Sequence, residues 1–153
     1  MLVSDVCKAP VVEVSAQASI EQAAHLMELH GIGSLVVVDA NELPIGLVTD
    51  RDLAVKGIPR GVSINQVLIS EVMSSDPIFT SQNTRIEEAL QLMRKFRIRR
   101  LIVTDEDGKV CGILSADDCF QMVVNQIVSL RDIYSAPEGK NGTHFLPDFT
   151  RMA

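Results

Sequence analysis

Residues 46–52 read GLVTDRD, and residues 112–118 read GILSADD. Both fit one pattern: glycine, two apolar residues, a hydroxyl residue, two variable positions, then aspartate. The two stretches lie 66 residues apart, and the same offset carries residues 3–53 onto residues 69–119 without a gap. Ser4, Val6, Ser15, Ile20, Glu21 and Ala23 fall on identical residues, as do Leu26, Met27, Ile32, Leu35, Val37 and Asp39. With Gly46 and Asp52 this makes 14 identities in 51 aligned positions, and several other pairs, such as Val36 with Ile102 and Leu47 with Ile113, exchange one apolar residue for another. The chain therefore holds two copies of one supersecondary unit, which decides the architecture before any single element is assigned.

Working outward from the motif, each unit reads the same way. Val11 to Val14 and Ile78 to Thr80 are short β-branched runs, hence strands. An amphipathic helix follows, with Ile20, Ala23, Ala24 and Met27 on its apolar face and Ile86, Ala89, Leu90 and Met93 in the copy. Its start carries a capping-box pattern, Ser19-x-x-Gln22 in one copy and Thr84-x-x-Glu87 in the other. Leu35 to Val38 is the next strand. Asp39 to Glu42 and Asp105 to Gly108 are turns, and Ile45 to Val48 and Cys111 to Leu114 return as hairpin arms. A second helix starts near Asp50 and near Ala116. The fold class is α+β, with two β-α-β-β-α units expected to pack sheet to sheet. Residues 1–60 form the first unit and 61–68 a connector, near Gly57, Pro59 and Gly61. Residues 69–133 form the second unit, whose final helix runs on through Val123 to Ile133. Residues 134–153, mixed in Pro, Gly, Asn and Ser, read as a loose tail.

Composition bounds the function. Of 153 residues, 46% are hydrophobic and 22% charged, a folding composition, and aromatics are only 4%, so the core is aliphatic. No apolar run approaches the ~20 residues of a membrane span, and the N-terminus MLVSDVCKAP does not read as a signal peptide. A cytoplasmic setting is expected, and Cys7, Cys111 and Cys119, without C-x-x-C spacing, fit a reducing compartment. Cys111, in an apolar run, is expected to be a buried thiol. The net charge of −6 speaks against nucleic acid or an anionic membrane as partner. Cations are unevenly spread, however. Residues 1–66 hold 4 Lys and Arg, residues 67–153 hold 10, and five of those ten lie between Arg94 and Arg100.

The repeated motif supports two readings. A hydroxyl residue three positions before an acid is a capping box: hydroxyl and carboxylate satisfy each other's backbone amides, and nothing binds. The same geometry suits a nucleotide. A helix N-terminus offers free N–H groups to a phosphate, and an aspartate one turn on can accept from both hydroxyls of a ribose.

The order V-x-D-V-[CM], A-x-x-L-M, L-[VI]-V-[VT]-D, then G-h-h-[ST]-x-x-D (h, apolar), repeated at constant offset over about residues 2–125, resembles a pair of cystathionine-β-synthase (CBS) domains, a Bateman module. The resemblance implies two units packed through their sheets around a pseudo-twofold axis, with two clefts that take adenosine-containing ligands. AMP, ADP and ATP lead that class, which also includes S-adenosylmethionine, NAD and cyclic dinucleotides. By motif, Asp52 and Asp118 would hold ribose hydroxyls, and Thr49 and Ser115 would contact phosphate or ribose. Pro10, Val11 and Val12, and Asp76, Pro77 and Ile78, would line adenine pockets. Arg99 and Arg100 would contact phosphates, since guanidinium is permanently charged and binds bidentately. Their counterparts Gly33 and Ser34 cannot, so one arginine-rich region is expected, with the Ser115/Asp118 cleft favoured and the Thr49/Asp52 cleft reachable across the axis. Arg94 and Lys95 read as solvated residues at a helix C-terminus.

His25, His30 and His144 do not cluster, and no Walker A, G-x-S-x-G or G-x-G-x-x-G occurs, so neither a metal site nor an enzyme is expected. The resulting expectation is a stand-alone regulatory, energy-sensing module. It would require no cofactor, bind an adenine nucleotide as regulatory ligand, form a homodimer and act on an unknown effector protein in trans. The alternative is a ligand-free interaction module working through a helix face or the tail segment His144 to Phe149.

Overall fold

The structure, a computed structural model, describes residues 1–41 and 43–135. Strand β1 (Glu13–Ser15), helix α1 (Ile20–His30) and strands β2 (Ser34–Val38) and β3 (Pro44–Thr49) are followed by a single α-turn, α2 (Asp50–Asp52). A π-turn (Leu53–Gly57) and a 3-10 turn (Ile58–Arg60) continue it. A two-residue strand β4 (Ser74–Ser75) precedes the second copy: β5 (Phe79–Ser81), α3 (Ile86–Phe96), β6 (Arg100–Thr104), β7 (Val110–Ser115) and α4 (Ala116–Ser135). In each copy the first strand pairs parallel with the second, and the second antiparallel with the third. Equivalent pairs keep the 66-residue offset, such as Ser34 with Thr49 and Arg100 with Ser115.

Alternation along the central strands builds the core. Leu35 and Val37 face α1 and pack with Ile20, Ala23 and Met27. Val36 and Val38 face the other way and meet Ile102, with Leu47 and Ile113 packed at the margin. That second cluster is the sheet-to-sheet contact. In the second copy Leu101, Val103 and Leu114 are buried, as are Ile86, Ala89 and Met93 on α3.

The segments leading into the repeats cross over. β4, which precedes the second copy, adds to the first copy's sheet beside β3. Lys8, which precedes the first copy, bridges Ile113 of the second through N–H···O bonds of 2.9 and 3.0 Å. Farther back, Val3 N donates to Thr84 O at 2.8 Å, while Ile69 N donates to Ala18 O at 2.8 Å. Val67, Ile69 and Val72 join the first copy's core. The motif glycines permit this approach. A Cβ on Gly46 would lie 2.8 Å from Met73 Sδ and 3.0 Å from Ser74 O; one on Gly112 would lie 2.8 Å from Cys7 Sγ and 3.2 Å from Lys8 O.

Several expectations are corrected. Val11 and Val12 precede β1, because pairing with β2 starts only at Glu13 opposite Val36. The Thr84 capping box does not form. The repeat register sets Arg85, not Thr84, opposite the capping residue Ser19; Arg85 is the N-cap of α3 and makes no side-chain cap bond. Cys111 is only half-buried at a β-bulge, and Cys119 is the buried thiol. Residues 136–153, including the segment His144 to Phe149, lie outside the described residues. The chain divides into a compact unit, Met1–Phe120, and a second unit from Gln121. Within the latter, α4 carries exposed Ile127, Leu130, Ile133 and Tyr134. No helix among the described residues is long and apolar enough to cross a membrane.

Candidate functional site: two clefts related by the repeat

Each hairpin ends in its motif at the start of a helix, and in both copies the capping box forms. Thr49 N and Thr49 Oγ1 donate to Asp52 Oδ2 at 3.0 and 2.7 Å, and Asp52 N donates to Thr49 Oγ1 at 3.2 Å. Ser115 N donates to Asp118 Oδ2 at 3.1 Å, Ser115 Oγ donates to the same oxygen, and Asp118 N donates to Ser115 Oγ at 3.1 Å. The free carboxylate oxygen then takes a lysine. Lys56 Nζ lies 2.7 Å from Asp52 Oδ1, and Lys8 Nζ lies 2.9 Å from Asp118 Oδ1. Lys56 comes from the same helical stretch, whereas Lys8 arrives on the crossing segment.

Both carboxyls titrate below the usual carboxylate range. Burial works to raise Asp52, but hydrogen bonds from Lys56 and Thr49 and the Lys56 charge outweigh it. At Asp118 burial is likewise overcome, by hydrogen bonds from Ser115 and Lys8. The cysteines go the other way: burial pushes Cys7, Cys111 and Cys119 up, so all three stay thiols at neutral pH.

Two cavities flank the sheet contact. One, of about 220 Å³, is walled by Ser115 and Asp118 together with Lys8, Pro10, Val11, Val12, Gly33, Ser34, Arg100 and Asp117. The other, of about 290 Å³, is walled by Thr49 with Ser74, Asp76, Pro77, Ile78, Ile98, Arg99 and Arg100. Each cleft thus joins one copy's motif to the apolar lead of the other copy's first strand. The crossover is what brings them together. Pro10 follows a cis peptide, and its counterpart Asp76 adopts a left-handed conformation, φ 56°.

Eleven of the twelve candidate residues line these clefts. Asp52 does not; Thr49 and Lys56 hold its carboxylate. The arginines divide between the two alternatives left open by the sequence. Arg99 borders the Thr49 cleft rather than the favoured Ser115 cleft, and Arg100 borders both. The Arg99 carbonyl accepts from Ala116 N at 2.9 Å, and its side chain pairs with Asp117 at 3.0 Å. Sequence reading missed both lysines. Lys56 carries a signal, four residues after Asp52 on one helical face. Lys8 carries none, since its repeat counterpart is Ser74. Among the described residues no group of three or more His, Cys, Asp or Glu side chains gathers in a form suited to a metal ion.

Tandem α+β units with interleaved leads and paired clefts define a CBS-domain pair. A family model for the CBS domain matches residues 3–56 and 69–125, and the chain belongs to that family. Among its relatives is the CBS domain-containing protein YhcV of Bacillus subtilis, 37% identical over 125 residues, covering 82% of this chain and 85% of YhcV. The uncharacterized protein MK0525 of Methanopyrus kandleri is 34% identical over 120 residues, 78% of this chain. The chain spans 61% of that relative's length, less than two thirds. Among solved structures, the CBS domain pair of protein MJ0100, in complex with 5′-methylthioadenosine and S-adenosyl-L-methionine, superposes with a TM-score of 0.72 at 25% identity, covering 82% of this chain and 98% of that one.

Proposed function

We propose that this CBS pair is a non-catalytic regulatory module that binds an adenosine-containing ligand in its clefts, an adenine nucleotide foremost, and signals to another protein in trans. The observation that carries the reading is the composition of the cleft walls. Each combines an apolar lead suited to a flat base (Pro10 to Val12, or Asp76 to Ile78), a helix start bearing a hydroxyl, and Arg100. The MJ0100 pair, with its two adenosyl ligands, supports this ligand class. Ribose hydroxyls would replace Lys8 on the outer oxygen of Asp118. At Thr49 the exchange would be with Lys56 on Asp52, and would require the Asp52 carboxylate to turn into a cleft it does not line in this structure. Ligand binding would then release a lysine and shift a homodimer or a partner equilibrium by differential affinity. A soluble cytoplasmic setting fits this role.

One observation favours a second reading. Both motif carboxylates already have partners on each oxygen, which is what a purely structural cap requires. On that reading the module binds proteins rather than nucleotides. Thermal unfolding against AMP, ADP, ATP, S-adenosylmethionine, NADH and cyclic di-AMP separates the two. A ligand at ~100 times its dissociation constant adds about 2.7 kcal/mol, which raises Tm by roughly 5–10 °C. The expected result is a shift with an adenosyl ligand that Asp118→Ala or Asp52→Ala abolishes. No shift with any ligand, and both variants melting below wild type, establishes the structural cap.

A further inference from the structure

The two clefts differ in charge and share one cation. In the Ser115 cleft, Lys8 and Arg100 face Asp117 and Asp118, and Lys8 is already paired with Asp118. In the Thr49 cleft, Arg100 and Arg99, the latter reaching Asp117 at 3.0 Å, face Asp76, while Asp52 lies behind Thr49 and is matched by Lys56. Arg100 borders both cavities, and it takes part in no ion pair among the described residues. Its repeat counterpart, Ser34, borders the Ser115 cleft only. The symmetry that supplies two clefts therefore supplies one guanidinium between them.

We propose that the two clefts compete for Arg100, so that one chain holds one phosphate-bearing ligand at a time, in the Thr49 cleft, and leaves the Ser115 cleft to an adenosyl ligand without phosphate. The inference rests on the adenosyl reading above and adds the selectivity of each cleft. A guanidinium forks onto one phosphate at a time. An anion beside Thr49 takes that fork with Arg99 in support. The Ser115 cleft then keeps Asp118 with its committed lysine, an Asp117 whose partner Arg99 has turned to the phosphate, and a new negative charge across the sheet contact. A second phosphate there meets repulsion in a region only partly screened by water. A neutral nucleoside carries no such penalty.

The test is calorimetric titration of the full chain with ADP and with adenosine, in wild type, Arg100→Ser and Arg99→Ser. Wild type is expected to take one ADP per chain, with any second event at least about tenfold weaker, and to bind one adenosine after ADP saturation. Arg100→Ser removes the shared guanidinium; it should weaken ADP by about tenfold or more and narrow the gap between the two sites, while Arg99 keeps the Thr49 cleft the stronger. Arg99→Ser, which leaves the shared residue in place, should weaken ADP while the strong stoichiometry stays at one. Two equal ADP sites in wild type, or unchanged ADP affinity in Arg100→Ser, overturns the proposal and leaves the adenosyl reading standing. Adenosine binding without any ADP binding does the same. Binding of neither probe overturns both.

Discussion

Position by position, the two repeats share a core and differ at the rim. Leu35 and Leu101, Val37 and Val103, Ala23 and Ala89, and Met27 and Met93 are identical pairs, buried in both copies. At the rim, Gly31, Gly33 and Ser34 stand where the second copy has Arg97, Arg99 and Arg100. The restraining lysine differs too, reaching Asp52 from four residues along its own helix but Asp118 from the crossing segment 110 residues earlier in the chain. Buried aliphatic positions answer to packing density, which is the same problem in both halves. Rim positions answer to solvent and ligand, and there the copies have become different tools. The fold is a near-symmetric frame carrying an asymmetric set of charges.

The largest perturbation of that comparison is deletion of residues 1–8. These belong in sequence to the first copy but pack on the second. Loss of fully buried Val3 and of the Lys8 and Val3 backbone bonds should cost about 3–5 kcal/mol. Hydrogen exchange should rise in β6 and β7 while β2 and β3 keep their protection. Equal loss in both sheets would mean the crossing segments bind the halves into one cooperative block.

A smaller effect tests an imperfection confined to the second copy. Thr80 replaces Val14 of the first, is buried, and its Oγ1 has no hydrogen-bond partner. Thr80→Val should stabilise by about 1 kcal/mol in denaturant unfolding, and Val14→Thr should destabilise by at least as much. Smaller still is Arg97, which caps α3 at φ 53°, where the first copy places Gly31 at φ 62°. Arg97→Gly should gain several tenths of a kcal/mol to about 1 kcal/mol by relieving a left-handed side-chain residue. No gain would mean that the Arg97 side chain makes a compensating contact.

The smallest difference appears on acidification. Asp52 and Asp118 have folded pKa values below their unfolded ones. Their contribution is therefore complete above about pH 4, the unfolded carboxylate range, and is lost as pH falls through it toward the folded values. Asp118→Asn and Asp52→Asn should flatten the decline of Tm as pH falls below about 4. Lys8→Met should flatten it too, by less, because Ser115 still holds Asp118 down.

The parts of this molecule that sequence made legible are those with periodic or repeated chemistry. Short aliphatic runs marked β2, β3, β6 and β7, and the 66-residue offset marked the duplication. The motif residues Thr49, Ser115 and Asp118 and both proline-containing leads reached the clefts as read. The interleaving was not legible, because β4 is two serines and Lys8 makes a single bridge; neither carries a strand signal. The sharing of Arg100 was also hidden, since it depends on the angle at which two sheets meet. The α3 cap was misread because a threonine one residue out of register imitates the pattern that Ser19 fulfils.

The crossing leads bear on how such a chain could have arisen. A single repeat would have an open slot beside its third strand and a leader with nowhere on its own body to lie. Two such chains would fill each other's slots reciprocally, each leader docking on the neighbour, as in a domain-swapped pair. The duplicated chain is that pair with a covalent tether. Fusion replaces a bimolecular encounter with an effective concentration of order millimolar. It also frees the two halves to diverge, since a change in one no longer appears in the other. On this view the single arginine between the clefts is a difference that a pair of identical chains could not hold.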